Sequence, residues 1–203
     1  MAVSFCLQHV KENKMAKRIG VFVDVSNLYY CIGKKFDNRK LDYGAYLAYV
    51  KELGDVQIAT AYGAQMRSEA SGFIHCLKQL GFDPKYKVPK DYHNKESFRR
   101  KADWDVGIAM DIVRLIERVD MIVLGTADGD LRPLVDWVKE RGVEVIALAC
   151  GISRELKDSV TKYIEIPESM LEQPREKQPV VDGQPPAVAP EPPPASEDLG
   201  NQA

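Results

Sequence analysis

Short apolar runs of strand length alternate with amphipathic helical patterns along most of this chain, and that alternation leaves few folds open. Residues 18–25 (RIGVFVDV) form a continuous apolar run that ends in polar residues. A run without in–out alternation suits a strand covered on both faces, as in a parallel sheet. Residues 55–62 (DVQIATAY), 85–88, 120–125 (DMIVLG) and 143–149 continue the series, with 163–166 as a short sixth strand. Between them, residues 43–53 set Tyr46, Leu47, Val50 and Leu53 at helical spacing. Residues 68–80 set Phe73, Cys76, Leu77 and Leu80 on one face, stopped by Gly81. Residues 104–119 carry Ile108, Ile112, Leu115 and Ile116 on one face, 131–141 end at Gly142, and a last short helix covers 153–159. The expected fold is α/β: a three-layer, Rossmann-like domain with a mostly parallel central sheet and helices on both faces.

The rest of the chain divides around that body. Residues 1–16 are read as an N-terminal extension, 17–167 as the domain and 168–203 as a disordered, acidic, proline-rich tail. Eight of the twelve prolines follow Ser169, and the tail has seven acidic against two basic side chains. So little apolar surface cannot offset the entropy of ordering. A protein partner could be recruited through such a tail. The longest apolar runs are far short of the ~20 residues that a membrane helix needs. The first residues lack the positive stretch of a secretory signal, so a cytoplasmic protein is expected. Cys6, Cys31, Cys76 and Cys150 show no paired spacing, and His9, His75 and His93 are scattered. Reduced thiols, and no zinc site, follow.

In parallel sheets, sites gather at the carboxyl ends of the strands, where the strand order reverses. The first strand ends in Asp24-Val25-Ser26-Asn27 and the fourth in Thr126-Ala127-Asp128-Gly129-Asp130, while Asp105 stands in the first turn of the helix before the fourth strand. Asp128, Asp105, Asn27 and Ser26 would each serve as helix caps. Capping needs one carboxylate per helix end and leaves the Asp128/Asp130 pair unexplained. Asp24 interrupts an apolar strand and does not look like a cap either. Clustered carboxylates persist when a cation compensates them, and oxygen-only donors suit Mg²⁺ or Mn²⁺. The chemistry implied is hydrolysis of a phosphodiester by a metal-activated water. No Ser/His or Cys/His pair competes with it.

Three blocks at these positions, FVDVSNLYY (22–30), KADWDVGIAMDIVRL (101–115) and VLGTADGDLRPLVDWVKERGVEVIAL (123–148), resemble the NYN domain, the LabA-like branch of the PIN-like nucleases. The resemblance covers about residues 18–166. It implies a PIN-like fold and RNA cleavage dependent on Mg²⁺ or Mn²⁺. It makes Asp24, Asp105 and Asp128 catalytic metal carboxylates, with Asp130 as a further ligand and Asn27, Asp111 and Thr126 in support. Asp111 lies six residues beyond Asp105, about 240° around a helix of ~3.6 residues per turn. The two cannot point the same way, so Asp111 is read as structural or supporting. The third block departs from the family's Ser-Gly-Asp-x-Asp-Phe: Thr126-Ala127 stands for Ser-Gly and Leu131 for Phe. Ala127 puts a methyl where glycine permits close approach or positive φ, which leaves a catalytically weak RNA-binding or regulatory module as the alternative reading.

Residues 85–101 hold seven basic side chains against two acidic ones, with Tyr86, Tyr92, His93 and Phe98 interleaved. Basic groups neutralise phosphates, and aromatic rings stack on unpaired bases. Lys95, Arg99, Arg100 and Lys101 are the expected RNA contacts, with Lys101 foremost by its place in the second block. Single-stranded or looped RNA is favoured over duplex DNA. A smaller patch of Lys34, Lys35 and Arg39 is read as ordinary solvated charge. A homodimer is compatible with the sequence.

Overall fold

A computed structural model describes residues 16–64, 70–87 and 104–173 of the 203-residue chain. Its six strands are β1 (Arg18–Asp24), β2 (Asp55–Ala64), β3 (Asp83–Lys87), β4 (Met121–Gly125), β5 (Glu144–Ala149) and β6 (Lys162–Glu165). They form one sheet in the order β3-β2-β1-β4-β5-β6. Every neighbouring pair is parallel. The helices are α1 (Val25–Lys35), α2 (Tyr43–Leu53), α3 (Ala70–Leu80), α4 (Asp105–Leu115), α5 (Arg132–Glu140) and α6 (Arg154–Ser159).

The period-two geometry of β1 splits the core into two. Ile19, Val21 and Val23 point to one face, where Leu28 and Ile32 of α1, Tyr46, Leu47 and Val50 of α2 and Leu77 of α3 pack on them. Phe22 points to the other face, with Ile108 and Ile112 of α4, Val135 and Val138 of α5 and Leu156 of α6. Removing each such side chain from water contributes about 1.5–3 kcal/mol, so the three-layer arrangement follows from burying both faces at once. The strand order reverses at β1: the chain leaves it for β2 and β3 on one side and returns to β4 on the other. The carboxyl ends of β1 and β4 therefore meet at the switch point.

The elements depart from expectation in four places. α4 stops at Leu115, and Ile116–Arg118 form a tighter 3-10 turn that brings buried Val119 to the sheet. β3 begins at Asp83, two residues early, and holds Pro84, which an edge strand tolerates. On α3 only Leu77 of the expected face is fully buried; Cys76 is exposed, and Phe73 turns its ring edge-on to Tyr43 at 5.4 Å. The boundary at 168 is also corrected. Glu168–Met170 form a 3-10 turn, Met170 and Leu171 are buried, and Leu171 bridges to Leu41. Two apolar side chains inside a polar stretch were enough to continue the domain. The patch of Lys34, Lys35 and Arg39 holds ordinary surface pairs, Lys35 with Glu165 at 2.6 Å and Arg39 with Glu168 at 3.1 Å. No helix among the described residues is long and apolar enough to cross a membrane.

At the amino ends of β1 and β4, Asp120 accepts from the Arg18 amide at 2.9 Å, from Nε at 3.0 Å and from Nη2 at 2.8 Å. The bonds from the Arg18 guanidinium, then from its amide, hold the Asp120 carboxyl down at about 2. A depressed carboxyl stabilises the fold fully above its unfolded value of about 4, and that contribution is lost as pH falls through about 2. Asp120→Asn is therefore expected to lower the urea midpoint at pH 6 and to flatten its fall between pH 4 and pH 2. An acid limb identical to that of the unmodified chain would refute this assignment.

Candidate metal centre

Asp24 closes β1 and is half-buried. It is also the N-cap of α1, its Oδ1 accepting from the Asn27 amide at 3.0 Å. The sequence favoured Asn27 or Ser26 as caps because an apolar run disguises where α1 begins. Helix geometry starts directly at Val25, which makes Asp24 the last extended residue and so the capping one. Asn27 is thereby freed for a longer-range task. Its Oδ1 accepts from the Ala127 amide at 2.8 Å and faces the Cys31 thiol at 3.8 Å. This bond joins the loop after β4 to α1 across the switch point.

The loop after β4 is folded by its own side chains. Buried Thr126 accepts from the Asp128 amide through Oγ1 at 3.2 Å, and Asp128 Oδ1 accepts from the Asp130 amide at 3.0 Å. Asp128 thereby caps the 3-10 turn Gly129–Leu131, from which Pro133 leads into α5. Gly129 has a steric reason: a Cβ there would come within 2.7 Å of Ser153 Oγ, which caps α6 by accepting from the Leu156 amide at 3.3 Å. Ser153 also donates its amide to the Ala127 carbonyl at 3.3 Å. The loop is thus clamped between α1 and α6.

Ala127 does not strain the chain. Among the described residues only Asp37 and Asn38 have positive φ without being glycine. The expected penalty for losing glycine is absent, because position 127 contributes its backbone amide and carbonyl while its methyl is buried. Leu131, in the place of the family's Phe, is buried too.

Asp105 is the first residue of α4 and lies half-buried. Its carboxylate meets those of Asp128 and Asp130, with one oxygen from each lying within 4.8 Å of the others. Asp24 is not part of that close set. It stands one residue past the last β1–β4 pair, Val23 opposite Gly125. The Cys31 thiol pKa is raised, first by burial and then by the negative charge of Asp24, with a smaller push from Asp128. Asp24 and Asp128 thus both act on one side chain.

Asp111 turns away from this group. It accepts from Tyr62 Oη at 2.7 Å and from Lys85 Nζ at 2.6 Å, and Arg114 Nη1 lies 3.6 Å off. Burial pushes its carboxyl up, but the bonds from Lys85 and Tyr62 outweigh that and hold it below the usual range. Tyr62 is pushed well up by burial and by the Asp111 carboxylate. Lys85 and Lys87, counted with the basic segment in the sequence, have local partners: Lys87 Nζ sits 4.0 Å over the Trp104 ring. Lys95, Arg99, Arg100 and Lys101 lie outside the described residues. Trp104, Gly107 and Ser153 carried no functional signal in the sequence, since their contribution depends on contacts between distant segments.

Comparisons with known proteins bear on the family and the fold. The family model of the NYN domain matches residues 18–169. The low amplitude and bright protein LabA of Synechococcus elongatus is 27% identical over 186 residues, covering 85% of this chain and 96% of that protein. An uncharacterized protein of Methanocaldococcus jannaschii is 27% identical over 165 residues, 79% of this chain and 60% of its own length. The crystal structure of a protein of unknown function from Vibrio parahaemolyticus superposes with a TM-score of 0.70 at 26% identity, covering 79% of this chain and 99% of that one.

The Asn27–Ala127 bond is the easiest part of the loop to remove. Asn27→Ala leaves a buried amide unpaired and is expected to destabilise the fold by about 1–3 kcal/mol. Urea denaturation measures this, and a midpoint equal to that of the unmodified chain would show that the bond contributes nothing.

Proposed function

The chain belongs to the NYN domain family, and from that premise we propose that it is a metal-dependent ribonuclease-like hydrolase with Mg²⁺ or Mn²⁺ on Asp105, Asp128 and Asp130. The observation that carries this reading is the convergence of three carboxylates from two separate stretches of chain within 4.8 Å. At that spacing, Coulomb repulsion costs roughly 1 kcal/mol per pair in water and roughly 3–4 at an effective dielectric of 20. A divalent cation removes that cost.

The donor set fits such an ion. All three donors are carboxylate oxygens, the donor type that Mg²⁺ and Mn²⁺ prefer, and Mg²⁺ commonly keeps several waters beside one or two carboxylates. The carboxylates would draw closer around such an ion, or one of them would ligate through water. When bound, the ion supplies Lewis acidity and lowers the pKa of a coordinated water. The protein's part is to hold the carboxylates converging. Asp24 is assigned to the rim of the same centre as a further carboxylate, supported by its place beside β4 and its action on the Cys31 thiol. Asn27 and Thr126 fix the loop that carries Asp128, while Asp111 stays neutralised by Lys85. Lys95, Arg99, Arg100 and Lys101 are assigned to the phosphates of single-stranded or looped RNA. They immediately precede α4, so their segment leads straight to Asp105.

One observation favours a second reading, a catalytically weak RNA-binding module: Asp24 commits an oxygen to capping α1 and stands outside the close set. Cleavage of an unstructured RNA with and without Mn²⁺ separates the two. The hydrolase reading expects metal-dependent cleavage that Asp105→Asn and Asp24→Asn each abolish. Both variants should stay folded, since Asn caps as well as Asp at position 24. RNA binding without metal-dependent cleavage would leave the second reading standing.

The RNA contacts have their own test. Lys101→Ala is expected to weaken binding and to reduce the slope of log affinity against log salt by about 0.7, the share of one phosphate on a single strand. An unchanged slope would remove Lys101 from the contacts.

A further inference from the structure

α4, which carries the proposed ligand Asp105, starts from a residue with no side-chain oxygen. Its N-cap is Trp104, at φ −113 and ψ 1, whose side chain makes no capping hydrogen bond. Helix ends without caps fray. Asp105 is the next residue, so any uncertainty in where α4 begins is transmitted to a carboxylate that has to meet two others.

The indole of Trp104 is fixed instead by its neighbours. Its Nε1–H donates to the Gly63 carbonyl at 2.9 Å, at the carboxyl end of β2. Its ring lies 5.3 Å from the Tyr62 ring, tilted by 56°. Lys87 Nζ sits 4.0 Å from the ring centroid. On the helix side the ring fills the space of a missing side chain: a Cβ on Gly107 would come within 2.7 Å of Trp104 Cε3. The backbone then enters α4 directly, with the Ile108 amide donating to the Trp104 carbonyl at 2.7 Å. The indole thus ties the first turn of α4 to β2, while Asp128 and Asp130 hang from β4.

We infer that Trp104 is a positioning residue for the metal centre: locked between Gly63, Tyr62, Lys87 and Gly107, it sets the first turn of α4 so that Asp105 converges on Asp128 and Asp130. The inference rests on the metal reading above. Metal sites tolerate displacements of only about 0.5 Å in their ligands. An indole held by a directional hydrogen bond and by packing against Gly107 fixes its own backbone, and with it the residue that follows. A residue that only filled the core would affect stability and leave metal affinity alone. A positioning residue changes the affinity of the folded protein.

Calorimetric titration of metal-free protein with Mn²⁺, alongside urea denaturation, distinguishes these roles. Asp105→Asn is the reference for a lost ligand. Trp137→Phe, at a tryptophan stacked on Arg141 in α5, is the control for loss of an indole elsewhere. Trp104→Ala is expected to weaken Mn²⁺ binding at least tenfold in protein that is still folded. Trp104→Phe, which keeps a ring but not the bond to Gly63, should fall between Trp104→Ala and the unmodified chain, and Trp137→Phe should stay within twofold. If Trp104→Ala does not fold, Gly107→Ala takes its place, since it displaces the indole without removing it and should weaken Mn²⁺ similarly. Tight Mn²⁺ binding by folded Trp104 and Gly107 variants, with Asp105→Asn defective, overturns this inference and leaves the metal reading intact. Equal behaviour of Asp105→Asn and the unmodified chain overturns both.

Discussion

The hydrogen bond from the Ala127 amide to Asn27 Oδ1 holds the candidate centre together. β1 and β4 are neighbours in the sheet, but their carboxyl ends lead into different structures, α1 on one face and a 3-10 turn followed by α5 on the other. Parallel strands that diverge in this way leave a crevice, which is why such sheets bind ligands at the reversal point. A crevice alone does not hold side chains at fixed separations. The Asn27–Ala127 bond closes one side of it, and the Ser153 amide on the Ala127 carbonyl closes the other. With both polar groups of residue 127 engaged, Thr126 and Asp128 have little freedom left.

Much of this was legible in the sequence, and the reasons are local. The strands could be read because burial on both faces demands apolar runs, and the helices because their buried stripes recur at a fixed spacing. The aspartates could be read because a carboxylate at the end of an apolar strand needs a reason to be there. Asp105, Asp128 and Asp130 then come together in space as their positions suggested. The start of α1 was not legible: Asp24 ends a strand and begins a helix with no loop between, so the usual signals fall on residues already inside the helix. The order of residues 168–173 was missed because Met170 and Leu171 are too few to form a pattern, although two buried apolar side chains are enough to hold a short segment. The contributions of Trp104, Gly107 and Ser153 could not be read from the chain at all. Each depends on a partner that only the folded backbone brings near.

Asp105 and Asp111 show how one helix separates two carboxylates. Six residues of helical rotation send them to different surroundings. Asp111 meets Lys85 and Tyr62, so its charge is balanced within the protein. Asp105 meets two further carboxylates, so its charge is compounded. The same residue type is a settled ion pair at one position and one of three converging carboxylates at the other, and the difference lies in the partners that β2, β3 and the loop after β4 supply.

The departures in the third block leave the contacts of the loop in place. Thr126 keeps the hydroxyl oxygen that accepts from the Asp128 amide. Ala127 is used through its backbone, in a conformation open to any residue. The glycine that the loop requires is Gly129, where the cap of α6 comes too close for a side chain. A family pattern read by residue type marks position 127 as damaged. Read by contacts, that position is intact, and attention passes to Asp24, whose carboxylate caps the helix that follows it and stands outside the close set of three.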